Sequence, residues 1–263
     1  MSIFHEQLRV QHFATVPLGI TDTELENAAH LFLTFLETVP DETKREIHFK
    51  SPFPRGSADG YSDKRGIDGK DPKEFIHWSP RLLNHRAYSK LYNSSQNART
   101  FFESAKRIYT YMDKRVCQLF EAEFPELTQH CIVDGKLANA VLRFLCYTPD
   151  SEVEFNAKPH YDKSFGTVAL AESAPGLRIG CCEKHPIQKV THAKNTALFM
   201  PGELMFTYSN KAIVPAWHDV QTSAETPNFN DRCRRWAIVF FIDHKDGNYP
   251  SWDTVHSPLH VHG

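Results

Sequence analysis

The sequence predicts an α+β protein, mainly β, with a β-sandwich or jelly-roll core over residues 137–245 and N-terminal helices packed outside it. Three observations carry this reading. After about residue 137 the chain becomes a series of short β-prone runs, NAVLRFLCY, GTVALAE, TALFMP, ELMFTYS and RRWAIVFFID, separated by Pro, Gly, Asn and Asp. No helix-length periodic segment lies between them, which disfavours a parallel sheet wound through helical crossovers and favours a sandwich or jelly roll. Ahead of them, two long segments carry apolar residues at intervals of three and four, the spacing of one helix face.

The first of these segments, TDTELENAAHLFLTFLETVP, opens on Thr21 and Glu24, a capping-box pair. It then places Leu25, Ala28, Phe32, Phe35, Leu36 and Val39 on one face before Pro40 ends the pattern. From Lys50 to Pro80 the chain is rich in Gly, Pro, Asp and Lys, a composition that favours turns and the long irregular loop of a binding lid. Between Asn97 and Phe124, Phe101, Phe102, Ala105, Ile108, Tyr109, Met112, Val116, Leu119 and Phe120 recur at helical spacing, and Pro125 stops the helix. The β runs follow, with no internal repeat or low-complexity tract among them.

At 263 residues, with 41% hydrophobic and 12% aromatic content, the chain can bury a substantial core. A single domain over 1–263 is expected: a helical and loop region to residue 136, the β core over 137–245, and a tail over 246–263. The formal charge of -2 offers no basic field for nucleic acid or an anionic membrane, so a small-molecule or protein partner is expected, a small-molecule substrate first. The N-terminus reads MSIFHEQLRV, with no charged and apolar export signal, and no apolar run is long enough for a membrane span. The six cysteines form no CxxC pair, and reduced thiols in a cytoplasm are expected. Of the fifteen histidines, His256, His260 and His262 crowd the end of the chain, where a frayed tail is the ordinary reading.

The chemistry concentrates in KPHYDKSFGTVAL. In an extended strand, positions i and i+2 project to one side, so His160 and Asp162 can reach one ion together. An imidazole nitrogen with a carboxylate oxygen suits a first-row transition metal, and a second histidine would complete a two-histidine, one-carboxylate face that leaves positions open on iron(II). His218 in VPAWHDVQ is the best third ligand, with His185 and His192 as alternatives in the charged stretch EKHPIQKVTHAKN. Downstream, RWAIVFFI alternates so that Arg235, Ala237, Val239 and Phe241 share one face. A guanidinium at the head of such an apolar strand calls for a bidentate anionic partner, because an unpaired buried charge is costly. Arg232 and Arg234 are close competitors for that role, but Arg234 points to the opposite face from Arg235 and Arg232 precedes the strand.

At these residues the sequence resembles the iron(II)- and 2-oxoglutarate-dependent oxygenases, in the isopenicillin N synthase-like branch. His160 and Asp162 match the family's HxD motif and His218 its distal histidine. Arg235-Trp236-Ala237 ahead of Phe240-Phe241 resembles the Arg-x-Ser that anchors the far carboxylate of 2-oxoglutarate, with Ala237 in place of the usual serine. LRFLCYTP is similar to a family strand that makes Tyr147 a second donor to 2-oxoglutarate, and Leu145 stands where asparagine is common. GLRIG, Gly202-Glu203 and Asn210 echo further family positions, and DGYSDKRGIDGKDPKEFIHW resembles the segment that ends in Lys-Glu before an aromatic strand. His218 is followed by Asp219-Val220 where the family often has Arg-Val, and SAETPNFNDRC reads as an inserted loop near the site mouth.

The resemblance implies a double-stranded β-helix in which His160, Asp162 and His218 hold Fe(II) and serve as the catalytic centre, while Arg235, Tyr147 and the Ala237 position bind 2-oxoglutarate. It implies that O2 and 2-oxoglutarate are consumed, with succinate and carbon dioxide released, to hydroxylate, desaturate, close a ring in or epoxidise a small molecule. The pocket would be walled by the 50–80 loop, where Arg55, Lys64 and Arg65 could meet an acidic substrate. Two rival readings remain at this level: an iron oxidase of the same fold that does not use 2-oxoglutarate, and a cupin-like metal- or ligand-binding protein without turnover.

Overall fold

The computed structural model describes residues 2–49, 59–65, 67, 71–149, 154–185, 187–222 and 228–247. The expectations placed on Arg55, on the SAETP part (223–227) of the SAETPNFNDRC stretch and on the histidine-rich tail lie outside the described residues.

The helices form where local chemistry dictates. α1 (Ile3–Gln11) starts on Ser2, whose hydroxyl accepts from the His5 N–H. α2 (Asp22–Thr38) has the reciprocal capping box: Thr21 Oγ1 accepts from Glu24 N at 3.2 Å, and Glu24 Oε2 accepts from Thr21 N at 3.0 Å. α3 (Asp41–Arg45) follows Pro40, and α4 (Arg86–Ser94) leads into α5 (Gln96–Glu123), a 28-residue helix capped by Ser95. It ends at Phe124, where Pro125 begins a 3-10 turn that leads into α6 (Thr128–Cys131). β5 (Ile132–Val133) and β6 (Lys136–Leu137) pair as a separate hairpin.

The remaining strands make two antiparallel sheets. The larger has eight strands in the order β1 (Ala14–Pro17), β12 (Thr196–Pro201), β9 (Gly166–Glu172), β14 (Arg235–Ile242), β7 (Ala140–Tyr147), β4 (Lys73–Trp78), β3 (Asp59–Asp63) and β2 (His48–Phe49). The smaller has four, in the order β11 (Gln188–Lys189), β10 (Leu177–Gly180), β13 (Trp217–Gln221) and β8 (Phe155–Tyr161), which leaves β8 at an edge. This is the expected jelly roll with its helices outside.

Each face of the larger sheet has its own core, because successive side chains alternate. Trp236, Ile238, Phe240 and Ile242 of β14, with Leu142, Phe144 and Cys146 of β7, join the helical core of Phe32, Phe101 and Phe102. On the opposite face Ala237, Leu145 and Tyr147 join Ala157, Leu177, Ile179 and Val220 from the smaller sheet. A cavity opens in this second layer, between the sheets.

Two segments depart from the sequence reading. The 50–80 region is not one irregular loop: β3 and β4 are paired members of the larger sheet. Tyr61 is buried and donates to Glu74 Oε1 at 2.5 Å, and Gly60 turns with φ +82 over the Ile47 carbonyl. Arg65 does not greet a ligand there, since it is bound to Asp63 at 2.8 Å and Glu74 at 3.1 Å. The run ELMFTYS forms no strand but a short helix, α7 (Glu203–Tyr208). An apolar run this short fits either element, and backbone partners decide it: Glu203 N donates to Asp162 O at 2.9 Å and Leu204 N to Ser164 O at 3.2 Å. Gly202 permits this approach, since a Cβ there would lie 2.0 Å from Ser164 O.

Candidate metal centre and cavity

β8 and β13 pair with His160 directly opposite His218, which brings the imidazole centroids to 4.4 Å. Asp162 lies just beyond the end of β8, where the α7 N-terminus and Thr167 fix it; Thr167 Oγ1 donates to Asp162 Oδ2 at 2.6 Å. His160 Nε2 stands 3.6 Å from Asp162 Oδ1, and His218 Nε2 stands 3.6 Å from Asp162 Oδ2. One ligand atom from each residue lies within 4.8 Å of the others.

Both rings are held in the tautomer that a metal needs. His160 Nδ1 lies 2.6 Å from Lys158 O and His218 Nδ1 3.0 Å from Ala216 O. A carbonyl only accepts, so each Nδ1 carries the hydrogen and each Nε2 turns a lone pair toward Asp162. Burial alone would raise the Asp162 carboxyl, but His218, His160 and the Thr167 hydroxyl outweigh it and hold the group well below the usual carboxylate range. For His218 burial prevails and pushes the imidazole down, toward the neutral form. For His160 the opposing pull of Asp162 wins over burial and the direction is up. Two neutral-capable imidazoles and an ionised carboxylate, without a thiolate, fit iron(II) or a similar divalent ion. Access is one-sided: the His160 side chain is 45% exposed, against 16% for Asp162 and 8% for His218.

The cavity runs from this centre along β7, β9 and β14. Arg143, Leu145 and Tyr147 of β7 line it beside Arg235, Ala237, Val239 and Phe241 of β14, with Arg235 opposite Tyr147 and Val239 opposite Arg143. Arg235 is buried and already holds a carboxylate, since its Nη2 donates to Glu172 Oε2 while its Nε donates to Ala174 O at 2.8 Å. Glu172 also faces His192 Nδ1 at 3.6 Å. Burial tends to raise the Glu172 carboxyl, yet His192 and Arg235 carry it below its ordinary value.

The other sequence candidates are placed elsewhere. His192 lines the same cavity but sits against Glu172 and the Ala169 carbonyl and does not group with His160, Asp162 and His218. His185 groups with Cys181 and Cys182, whose sulfurs are 3.7 Å apart, and none of the three lines the cavity. Arg232 pairs with buried Glu74 at 2.8 Å, and Arg234 reaches Asn228. Sequence reasoning missed Thr167, Glu172 and Arg143. The alternation argument that singled out Arg235 applies equally to Arg143 in LRFLCY.

Residues 138–244 match the sequence model of the 2OG-Fe(II) oxygenase superfamily. No curated protein matches the chain. Among solved structures it is similar to a Neurospora crassa protein in complex with alpha-KG and 5-formyluracil, at 16% identity over 96% of this chain and 83% of that one, with a TM-score of 0.69. It is similar to AtDAO1, dioxygenase for auxin oxidation 1 from Arabidopsis thaliana, as its 2-oxoglutarate complex, at 17% identity, 94% and 89% coverage and a TM-score of 0.65. JOX2 in complex with 2OG, Fe and JA shares 18% identity over 96% of this chain and 74% of that one, with a TM-score of 0.64. At these identities the structural likeness speaks for the fold. Among the described residues no helix is long and apolar enough to cross a membrane.

Proposed function

The chain carries a 2OG-Fe(II) oxygenase superfamily domain over residues 138–244, and on that premise we propose that His160, Asp162 and His218 hold iron(II) while Arg235 and Tyr147 bind 2-oxoglutarate. The carrying observation is the pair of carbonyl-locked imidazoles whose Nε2 atoms converge with Asp162 at one end of a cavity that has a carboxylate-binding guanidinium further along. When bound, iron(II) and 2-oxoglutarate supply an oxidant from O2, with succinate and carbon dioxide as coproducts.

The chain's own residues prepare and confine that chemistry. Lys158 O and Ala216 O keep the two Nε2 lone pairs directed inward. Thr167 fixes the Asp162 carboxylate, leaving Oδ1 free of that hydrogen bond. Arg235 is pre-shaped for a carboxylate, and Ala237 beside it offers no hydroxyl, so the guanidinium carries the anchoring with less help than the family's serine would give. Glu172 occupies Arg235 and must share or yield it. The apolar faces of Leu145, Val239 and Phe241 keep water from the space beside the triad, where a small-molecule substrate would lie.

Anaerobic protein loaded with iron(II) should develop a weak visible charge-transfer band on addition of 2-oxoglutarate, and Arg235→Ala should weaken its half-saturation. A metal-loaded protein without that band refutes the cosubstrate assignment. Full iron affinity in Asp162→Ala refutes the ligand assignment. Succinate formed in step with substrate oxidation separates this activity from that of an oxidase that leaves 2-oxoglutarate intact.

A further inference from the structure

We propose that Arg143 is the anion-recognition residue of the substrate half of the cavity, so that the substrate is a small carboxylate with an apolar body. The proposal rests on the oxygenase reading above and adds the class of substrate.

Arg143 projects from the middle of β7 into the cavity. Its Nε donates to His77 Nε2 at 2.6 Å, and its guanidinium centre lies 4.4 Å from the Phe241 ring and 5.0 Å from the Phe75 ring. An arginine can only donate, so His77 accepts with a lone pair and is neutral in this contact. Among the described residues no carboxylate pairs with Arg143. Arg81, Arg178, Arg232 and Arg235 each meet one: Asp59, Asp219, Glu74 and Glu172. Burial disfavours the Arg143 cation, with the more distant charge of Asp162 partly offsetting it. Two aromatic faces stabilise a guanidinium by cation–π attraction, but they leave its charge uncompensated and its remaining N–H groups available.

Position separates this cation from the cosubstrate anchor. Arg143 and Arg235 lie opposite Val239 and Tyr147, and Tyr147 is four residues from Arg143 along β7, about 14 Å of strand at 3.4 Å per residue. The Arg143 end is the metal end: Phe241, which stacks on Arg143, pairs across to Thr167, and Thr167 holds Asp162. With 2-oxoglutarate on Arg235, the free guanidinium beside the metal faces the second substrate. Leu145, Val239 and Phe241 around it offer apolar contact to the rest of that molecule. A carboxylate held bidentately there would orient one edge of the substrate toward the triad.

Phenylacetate and its uncharged isostere phenylacetamide serve as probes, titrated calorimetrically into anaerobic protein with iron(II), with and without 2-oxoglutarate. Wild-type protein should bind phenylacetate at least tenfold more tightly than the amide. Arg143→Gln should weaken phenylacetate by about 10- to 100-fold, the range of a lost charged hydrogen bond, leave the amide unchanged and keep the 2-oxoglutarate band. Arg143→Lys should recover part of the loss. Equal affinity for acid and amide, no saturable phenylacetate binding to wild type, or an unaltered Arg143→Gln overturns the proposal. So does loss of the 2-oxoglutarate band in Arg143→Gln with phenylacetate binding intact, which makes Arg143 the cosubstrate anchor. Absence of the band in wild type tells against the oxygenase reading instead, while the acid-over-amide preference still reports on the anion site.

Discussion

Replacing Glu172 by glutamine should make the protein bind 2-oxoglutarate more tightly. On the proposed assignment, Glu172 and the distal carboxylate of 2-oxoglutarate compete for the buried Arg235 guanidinium, which Glu172 holds in the structure. A hydrogen bond to a charged group contributes about 1.5–3 kcal/mol. Glutamine keeps a neutral acceptor on Arg235 but removes the charge, so the lower end of that range is released to the incoming carboxylate, an affinity gain of about tenfold. The same change leaves Arg235 less compensated in the free protein. Its Tm without ligand should fall by a few degrees, at about 2–4 °C per kcal/mol for a chain of this size, and saturating 2-oxoglutarate should restore it. The assay is anaerobic titration of the iron(II) protein with 2-oxoglutarate, followed by the charge-transfer band and by thermal melts. A Kd that is unchanged or weaker would falsify competition and make Glu172 the residue that orients Arg235 for its ligand.

Three further outcomes follow from contacts described above. Thr167→Val removes the 2.6 Å hydrogen bond to Asp162 Oδ2 in a nearly isosteric way; iron affinity, measured by competition with a chelator, should drop about 10- to 100-fold while the fold is kept. Gly202→Ala drives a methyl group into Ser164 O, 2.0 Å away; urea unfolding should show a loss of about 1–3 kcal/mol, and iron affinity should fall because the strained loop carries Asp162. The carboxyls of Asp162 and Glu172 are depressed in the folded state, so the unfolded chain takes up their protons first as pH falls. Their contribution is therefore complete above the unfolded carboxylate range of about 4 and is lost as pH drops through and below it; metal-free wild type should lose more stability between pH 5 and 3, in urea melts, than Glu172→Gln.

Much of the fold was legible because its signals are local. The Thr21–Glu24 capping box and the Phe101-to-Phe120 periodicity are produced by a single helix and need no distant partner. The alternation of RWAIVFFI was likewise readable, since β14 has one core on each side. β3 escaped notice because DGYSD lacks β-branched residues, and what makes it a strand is the burial of Tyr61 against Glu74, whose other partners are Lys44, Arg65 and Arg232. α7 was misread because its helical start depends on carbonyls of Asp162 and Ser164, some forty residues earlier in the chain. In the site, the spacing of His160 and Asp162 was a weak signal alone and gained weight from Tyr147, His218 and Arg235, and the strand register that sets His160 opposite His218 favours His218 over His192. Glu172 lies beyond such reasoning: its bond to Arg235 exists only once β9 and β14 are side by side.

The edge position of β8 has a consequence for solubility. Among the described residues no further strand pairs with the outer side of β8, and such an edge presents backbone groups that invite a second chain to add on; β8 carries His160, a proposed metal ligand, and leads into Asp162. Pro159 sits directly before His160 and has no N–H to donate, and Lys158 places a charge beside it. Intermolecular strand pairing is thus interrupted at the residue before His160. The border can stay open to small reactants without serving as a template for aggregation.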